Sequence, residues 1–474
     1  MGDYHNGNAL LRYNSGDDPF EDRRFSKLIH DNVHGNIHLD RVLFLFLYLN
    51  LLFSLRDLKQ LGLTYMVYPG AVHSRFEHSL GVYWLASDAV RRLKTYHGLE
   101  LGIESFDIQT VKLAGLLHDV GHGPFSHMFE REFLPRVRGG IKWSHEDMSL
   151  KMIDYIVDEH SIDIDSNKLK KVKEMIVASK EGKSESLKEK QFLYDIVANG
   201  RNGIDVDKFD YIEQSLLILG KIILPFCACR LMETMRVIDN EICYRAKEYL
   251  TIHKLFSTRA DLHRTVYMHP KVKAIELMVV DALIKANEHF QIAAQIDEPA
   301  QYWMLDDTIV KRIETSTHQD LEESRNLIRR IRRRDIYQYC NEFAVPKENL
   351  EHFRNVTAQD IICSQNSDAH LNEEDVIVTN VKIDLASGKN NPLERISFFQ
   401  DYDSFEKLRL KDGCISHLLP VCYQDMIVRV YTRKPELVEA VSKAFENFQI
   451  KTYGKKTQVH ATPEKKKCLK YKEK

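Results

Sequence analysis

Apolar residues recur every three or four positions through most of residues 42–289, a spacing typical of helices with one buried face. One predicted helix begins near Arg75. Its apolar face carries His78, Val82, Leu85, Ala89 and Leu93. The next predicted helix spans residues 106–119, and its apolar face carries Ile108, Val111, Gly115 and His118. The pattern therefore directs one histidine from each of two neighbouring helices into the interior.

A break follows the second of these helices. Gly121, Gly123 and Pro124 predict that the helix ends there and that a new one begins near Phe125. The break would let nearby histidines point toward whatever His118 holds. A further helix is predicted to begin at residues 143–146, where Ser144 can cap its N-terminus.

A later helix is predicted around residues 204–211. Asp207 and Tyr211 stand four residues apart and therefore share one face, with Lys208 beside them. The apolar neighbours Ile204 and Phe209 favour burial of Asp207. From Arg230 to about His289 the spacing is again helical.

The pattern changes near the C-terminus, where apolar and polar residues alternate over residues 375–385 and 426–431. Alternation predicts strands, and the amphipathic stretch 437–448 predicts a helix after them. The fold class is therefore mainly α, with a large helical core and a smaller α+β lobe. Four parts are predicted: a disordered N-terminus over 1–22, a helical domain over 23–345, an α+β lobe over 346–450 and a basic disordered tail over 451–474.

Composition limits the function classes. The net charge is -2, so the chain as a whole has no field that favours nucleic acid. The longest apolar run, residues 42–55, is too short to span a bilayer and is predicted to be a buried helix. Eight cysteines are scattered without a CxxC pair, and no secretory leader precedes them. We therefore expect no membrane partner, free thiols and a reducing compartment, the nucleus or the cytoplasm.

Candidate chemistry lies on the predicted helices. His78, His118, Asp119 and Asp207 would supply two imidazoles and two carboxylates. That donor set is too rich in oxygen for a closed structural zinc site and leaves positions open for water and a phosphoryl oxygen on Fe, Mn, Mg or Zn. Arg75, Lys208 and Arg259 supply the cations that phosphoryl transfer needs. His127 lies three residues before Glu130, which can orient its ring as a general acid.

Four motifs resemble the HD-domain superfamily: Arg-Phe-Glu-His-Ser at 75–79, His-Asp-Val-Gly-His-Gly-Pro-Phe-Ser-His at 118–127, Trp-Ser-His-Glu at 143–146 and Asn-Gly-Ile-Asp-Val-Asp-Lys-Phe-Asp-Tyr at 202–211. They are most similar to the eukaryotic deoxynucleoside triphosphate (dNTP) triphosphohydrolases that pair a sterile alpha motif with an HD domain. The chain is expected to lack the sterile alpha motif. The resemblance implies an HD catalytic core and a C-terminal lobe for regulation and oligomerisation.

The resemblance also implies an activity, hydrolysis of a dNTP to deoxynucleoside and intact triphosphate. The matching positions imply metal ligation by His78, His118, Asp119 and Asp207. Triphosphate contacts are implied for Arg75, His122, Lys208, Tyr211 and Arg259. His127 matches the donor of a proton to the leaving 5′ oxygen, with Glu130 beside it and His145 in a supporting position. Gln60 matches a residue that reads the sugar 3′-hydroxyl, and Tyr267 an aromatic residue that packs against the deoxyribose.

Several positions depart from that family. Glu130 replaces an aspartate, and Ser215 stands where the family has an aspartate near the sugar. Tyr48 and Phe53 replace the two residues that read a guanine activator, which weakens the case for an activating GTP or dNTP. The candidate activator contacts are Lys27, Arg56, Arg230, Arg245, Lys247 and Arg334.

Two alternatives stay open at this point. An HD nucleotidase or phosphodiesterase acting on shorter nucleotides would use the same metal set. The basic run at residues 329–334 and the lysine-rich tail instead fit a regulator that binds single-stranded nucleic acid and has lost catalysis. The resemblance implies a homo-oligomer, from dimer to tetramer. Thr462-Pro463 in the tail resembles a proline-directed kinase site, and its phosphorylation is predicted to shift assembly.

Overall fold

A computed structural model describes residues 26–40, 46, 50–180, 189–220, 228–366, 370–386, 388–410, 420 and 422–456. Tyr48, Thr462 and residues 457–474 of the lysine-rich tail lie outside these residues, as do residues 1–22 and half of the apolar run 42–55. The predicted start of the disordered tail at residue 451 is too early, because the last helix ends at Tyr453. The described part is mainly helical with small sheets, which confirms the predicted fold class. The predicted division at residue 345 stays a prediction.

The helical core opens with a hairpin of two strands, β1 (Lys27–Asp31) and β2 (Gly35–Leu39), paired antiparallel. The helices before residue 220 are α1 (Asn50–Ser54), α2 (Arg75–Leu101), α3 (Ser105–Leu117), α4 (Leu134–Val137), α5 (His145–Glu159), α6 (Ser166–Ile176), α7 (Gln191–Val197) and α8 (Val206–Ile218). Helix α2 packs against both α3 and α8. The predicted start at Arg75 is confirmed, and so is the cap at Ser144, whose side chain accepts a hydrogen bond from the backbone of Asp147.

The second half of the core adds α9 (Ala228–Thr234), α10 (Tyr249–Leu262), α11 (Pro270–Phe290), α12 (Pro299–Tyr302), α13 (Ile309–Thr315) and α14 (Glu322–Arg332). The expectation of unbroken helical structure after Arg230 is wrong for β3 (Met235–Ile238) and β4 (Glu241–Arg245). These strands form a hairpin, and β4 also pairs with β7 (Phe398–Phe399). Both are buried on both faces, so they show no alternation. The sequence feature that could have predicted this hairpin is the turn Asp239-Asn240, where both residues have positive φ.

The C-terminal lobe is a three-stranded antiparallel sheet with one main helix. Its strands are β5 (Gln338–Ala344), β6 (Val376–Asp384) and β8 (Gln424–Thr432), with β8 in the middle. Helix α15 (Ala358–Ile362) packs against α16 (Val438–Tyr453), which covers β5 and β8. The predicted strands over 375–385 and 426–431 and the predicted helix over 437–448 are confirmed, whereas β5 was not predicted.

The loop after α3 agrees with its prediction in outline. Phe125 and Ser126 have positive φ values of 57° and 59°, so helical structure resumes at His127, two residues after the predicted start near Phe125. His127 and Met128 lead into a π-helical turn, Phe129–Phe133, which continues into α4. The glycines and proline thus end α3 as predicted, and nine residues separate its last residue from the next helical one. Residues 118–128, called loop 118–128 below, carry much of the candidate site.

No described helix is both long and apolar enough to cross a membrane.

Candidate active site

The four predicted metal ligands meet between α2, α3 and α8. His78 lies in the first turn of α2, His118 and Asp119 directly follow α3, and Asp207 is in the first turn of α8. The Nε2 atom of His78 lies 3.1 Å from Asp207 Oδ1 and 3.5 Å from Asp119 Oδ2. The Nε2 atom of His118 lies 3.4 Å from Asp119 Oδ1 and 3.7 Å from Asp207 Oδ1. His78, His118 and Asp207 can therefore place one ligand atom each within 4.8 Å of one another, and Asp119 lies beside the two histidines.

The opposite ring nitrogens are held by other groups. His78 Nδ1 donates to Asp210 Oδ2 at 2.6 Å, and His118 Nδ1 donates to the carbonyl oxygen of Gly115 at 2.8 Å. A donor on Nδ1 fixes the tautomer that leaves the Nε2 lone pair available to a metal. The hydrogen bond at Nδ1 thus orients each imidazole ring so that its Nε2 atom is available to a metal.

Asp210 was not singled out from the sequence, although it lies one helical turn after Asp207. It is fully buried and also accepts from His34 Nε2 at 2.6 Å. The prediction that Asp207 is buried is wrong in degree, because its side chain is 33% exposed. Asp207 is partly exposed, whereas Asp210 lies in the interior on the Nδ1 side of His78.

The donor set fits a divalent metal. His118 Nε2 is buried and has no hydrogen-bond partner among the described residues, as expected for an atom that ligates an ion. Burial alone would lower the pKa of His78, but the hydrogen bonds to Asp207 and Asp210 raise that pKa to about 10. Burial likewise opposes ionisation of Asp119, yet His118, Arg75 and His122 hold its pKa well below the usual range. The surrounding carboxylates thus favour a positive charge at this point.

Three cations contact the candidate metal ligands or the helix that carries Asp207. Arg75 pairs with Asp119 and donates from Nε to Ser126 Oγ at 3.0 Å. The Nζ atom of Lys208 lies 2.9 Å from Asp205 Oδ2. Arg259, on α10, donates to Tyr211 Oη at 3.1 Å and to the carbonyl oxygen of Asp384 at 3.1 Å. Each cation is therefore held in place by neutral or acidic neighbours before any ligand arrives.

Three histidines and one glutamate form a second group beside the metal ligands. The rings of His122 and His145 stack with centroids 3.8 Å apart, and His127 meets both rings edge-on. Glu130 Oε2 lies 3.0 Å from His145 Nδ1 and 3.4 Å from His127 Nδ1. The glutamate is therefore shared between these two histidines. Its contact with His127 is the longer one.

Two histidines of this group, His122 and His127, have lowered pKa values. Burial, followed by the charge of Arg75, holds the pKa of His122 well below its ordinary value. Desolvation also lowers the pKa of His127 to about 4, although 48% of its side chain is exposed. Both rings are therefore neutral near pH 7 in the absence of an anion.

Three contacts with other parts of the chain fix the shape of loop 118–128, and one of the partners, Asp307, also binds Lys59. A side chain on Gly121 would overlap the start of α5, because its Cβ would lie 2.2 Å from the backbone nitrogen of Ser149. Tyr302 Oη donates to the carbonyl oxygen of Gly121 at 2.9 Å. Asp307 accepts from the backbone nitrogen of Phe125 at 2.6 Å and from that of Lys59 at 2.8 Å. The sequence offered no signal for Tyr302 or Asp307, which lie far along the chain from the loop.

The predicted sugar contacts lie in partly buried positions. Gln60 has a side-chain oxygen that is buried and without a hydrogen-bond partner among the described residues. The hydroxyls of Tyr267 and Ser215 are 2.7 Å apart. Ser215, the departure from the family pattern, thus holds the hydroxyl of the predicted deoxyribose contact.

The six candidate activator residues differ in their contacts and in their exposure. The Arg56 guanidinium lies 3.8 Å from the ring centroid of Phe76 and 4.9 Å from that of Phe53. Arg230 pairs with Glu248 through two bonds of 2.7 and 2.8 Å. Lys27, Lys247 and Arg334 are exposed and Arg245 is half-buried. An activator site at these residues stays a prediction.

The basic run on α14 is partly neutralised. Arg330 pairs with Asp335 at 2.7 Å and Arg332 with Glu314 at 3.2 Å. Ion pairs leave less charge for a phosphate backbone, so they weaken the argument for nucleic-acid binding by this helix.

Comparisons with known proteins agree with the motifs. Residues 75–212 match the HD domain, and residues 227–458 match the HD associated region. The chain is 39% identical to the deoxynucleoside triphosphate triphosphohydrolase SAMHD1 homolog of Dictyostelium discoideum, over 90% of this chain and 82% of that protein. It is 35% identical to deoxynucleoside triphosphate triphosphohydrolase SAMHD1 of Bos taurus, over 86% of this chain and 75% of the relative. Its identity to SAMHD1 of Homo sapiens is 34%, over 86% of this chain and 70% of the relative.

Proposed function

Because the chain belongs to the SAMHD1-like family of HD-domain phosphohydrolases, we propose that it hydrolyses dNTPs to deoxynucleoside and inorganic triphosphate, and so lowers dNTP pools. The observation that carries the proposal is the meeting of two imidazoles and two carboxylates beside three fixed cations. His78, His118, Asp119 and Asp207 would hold the metal. When bound, a divalent metal supplies Lewis acidity at the phosphoryl group and lowers the pKa of water.

The cations of the chain suit a polyanion. Arg75, Lys208 and Arg259 would bind the triphosphate and stabilise the charge that develops on it in the transition state. Arg75 and Lys208 already pair with carboxylates and Arg259 with a hydroxyl, so these contacts hold the three cations in position for the phosphate oxygens of the substrate. His122, buried and neutral, can donate one hydrogen bond to a phosphate oxygen without repelling the cations.

His127 is the proposed general acid. Its side chain is half exposed, and Glu130 Oε2 lies 3.4 Å from its Nδ1 atom. A bound triphosphate brings several negative charges close to this ring, which raises the pKa of His127 from its low value in the free chain. The proton would then be taken up together with the substrate and delivered from Nε2 to the leaving 5′ oxygen. His145, which shares Glu130, would position that carboxylate.

Two further residues would select the sugar. The unpartnered side-chain oxygen of Gln60 suits a hydroxyl donor such as the sugar 3′-OH. Tyr267, fixed through its hydroxyl by Ser215, would present its ring to the deoxyribose. A site that leaves no room beside this ring would reject a 2′-hydroxyl.

The test is a product assay with dGTP and either Mg²⁺ or Mn²⁺. Expected products are deoxyguanosine and inorganic triphosphate, separated by ion-exchange chromatography. Asp207→Ala should abolish the reaction, and Glu436→Ala, on the exposed side of the C-terminal lobe, should leave it unchanged. Release of pyrophosphate or single phosphate would refute the proposal.

The same assay decides between substrate lengths. An HD nucleotidase of shorter nucleotides would hydrolyse dGMP faster than dGTP. We expect the reverse, because three cations line the cavity and a monophosphate can engage only some of them.

Activation and assembly form a separate part of the proposal. We propose a homo-oligomer, dimer to tetramer, whose activity depends little on GTP, because aromatic rings already engage Arg56. Light scattering and dNTP hydrolysis with and without GTP test both points. A strong stimulation by GTP would show that the replacements at Tyr48 and Phe53 spare the activator site.

A further inference from the structure

A second group of metal-type donors lies where α11 ends and α14 begins. His289 is in the last turn of α11, and His318 and Asp320 lie in the short turn before α14. Each of these residues offers one ligand atom, and the three atoms lie within 4.8 Å of one another. The two imidazole centroids are 4.3 Å apart, and His318 Nδ1 is 3.3 Å from Asp320 Oδ2.

The backbone beneath these side chains is firmly held. The carbonyl oxygen of His318 accepts from Arg325 Nη1 at 2.6 Å. Ser324 Oγ donates to the carbonyl oxygen of Ala282 at 2.7 Å in the buried contact between α14 and α11. Leu321, one residue after Asp320, is fully buried. The two elements therefore keep the three donors together, while the exposed side chains can rotate to adjust their ligand atoms.

The charge around the group favours a cation. An adjoining groove of about 460 Å³ is lined by four carboxylates and one ammonium group: Glu288, Asp320, Glu322, Glu323 and Lys285. Lys285 is engaged by Glu323. His289 also lies at the C-terminal end of a 21-residue helix, where the helix dipole attracts positive charge.

We propose that His289, His318 and Asp320 form a surface site for a first-row transition-metal ion of the Zn²⁺ type. Two imidazoles and one carboxylate are a common set of three protein ligands for zinc, and water can complete the tetrahedron at an exposed site. The ion would join the end of α11 to the start of α14. The site is independent of the proposed hydrolysis, because none of its ligands belongs to the candidate active site.

The experiment is a Zn²⁺ titration of the full untagged chain by isothermal calorimetry, with its active-site metal retained. The wild type is expected to bind one more equivalent of Zn²⁺ than His318→Ala or His289→Ala, or to bind it at least about 10-fold more tightly. His352→Ala, which removes an exposed histidine elsewhere, is the matched control and should bind as the wild type does. Zn²⁺ should also raise the melting temperature of the wild type more than that of the two variants.

A third variant, Asp320→Asn, removes only a carboxylate on a side chain that is 72% exposed, so its folding is not in question. It should weaken the same equivalent. Equal zinc stoichiometry and affinity in the wild type and in all three site variants would overturn the proposal. dNTP hydrolysis measured on the same samples should be unchanged, so a failed zinc site and a failed hydrolase proposal give different results.

Discussion

Gly81→Ala should damage the metal centre from a position that touches no metal ligand directly. Gly81 lies on α2, and a Cβ added there would be 1.8 Å from Asp210 Oδ1 and 2.5 Å from Asp210 Cγ. Asp210 is fully buried and cannot turn toward solvent. It must therefore release His78, His34 or both. The Nε2 lone pair of His78 would then no longer be fixed toward the metal.

The magnitude follows from the bonds at risk. Charge-assisted hydrogen bonds contribute about 1.5–3 kcal/mol each, and two of them end on Asp210. Alanine in a helix recovers about 1 kcal/mol relative to glycine. The variant should therefore be destabilised by about 2–5 kcal/mol. Its metal affinity should fall by about 10–100-fold, the usual effect of losing a group that orients a ligating histidine.

Urea unfolding and metal titration measure the two effects. Asp210→Asn keeps the volume and removes the charge, so it should weaken metal binding to a similar degree. Gly139→Ala is the control, because its Cβ would meet no atom within 4 Å. A Gly81→Ala chain that is within about 0.5 kcal/mol of the wild type and binds metal normally would refute the role given to Asp210.

Three other changes have defined outcomes. In the metal-free chain the pKa of His78 is raised to about 10, so metal binding must displace a proton from this ring and metal affinity should rise with pH up to about 10. Calorimetry in buffers of different ionisation enthalpy would show the release of this proton. Binding without proton release would contradict the raised pKa. Burial raises the pKa of Asp307 to about 7, above its unfolded value, so the contribution of Asp307 to stability should fall as pH rises from about 4 to about 7. Urea unfolding at several pH values should show the stability difference between wild type and Asp307→Asn falling over that range. A difference independent of pH would argue against the raised pKa of Asp307. Arg75→Lys keeps the charge but loses the planar fork, and should lower kcat/KM for dGTP by about 10–100-fold; full activity would show that Arg75 acts only as a charge.

Much of the helical core could be predicted because its signals are local. The spacing after Arg75 identified α2 and its inward His78, and Ser144 identified the start of α5. Four candidate metal ligands were predicted from residue types and from the resemblance, and the structure places His78, His118 and Asp207 together with Asp119 beside them.

The features that were not predicted depend on burial and on long-range contacts, which the local pattern of apolar and polar residues does not encode. Strands β3 and β4 are buried on both faces, so the alternation that marks a strand is missing. Asp210 looked like one carboxylate among several, because its partners His34 and His78 lie 176 and 132 residues away in sequence. The left-handed conformation of Phe125 and Ser126, just before the helical residues at His127, was not predicted, because it is held by a distant anchor at Asp307.

The anchors at Tyr302 and Asp307 also set an order of events during synthesis. They reach loop 118–128 and Lys59 across 181, 182 and 248 residues. A nascent chain that has just completed α8 already contains all four candidate metal ligands, but neither anchor has been made. Because domains fold as the N-terminal part emerges first and long-range contacts close late, we expect metal uptake on the ribosome to precede the final shaping of this loop. Catalytic competence would then begin only after residue 307 has left the exit tunnel.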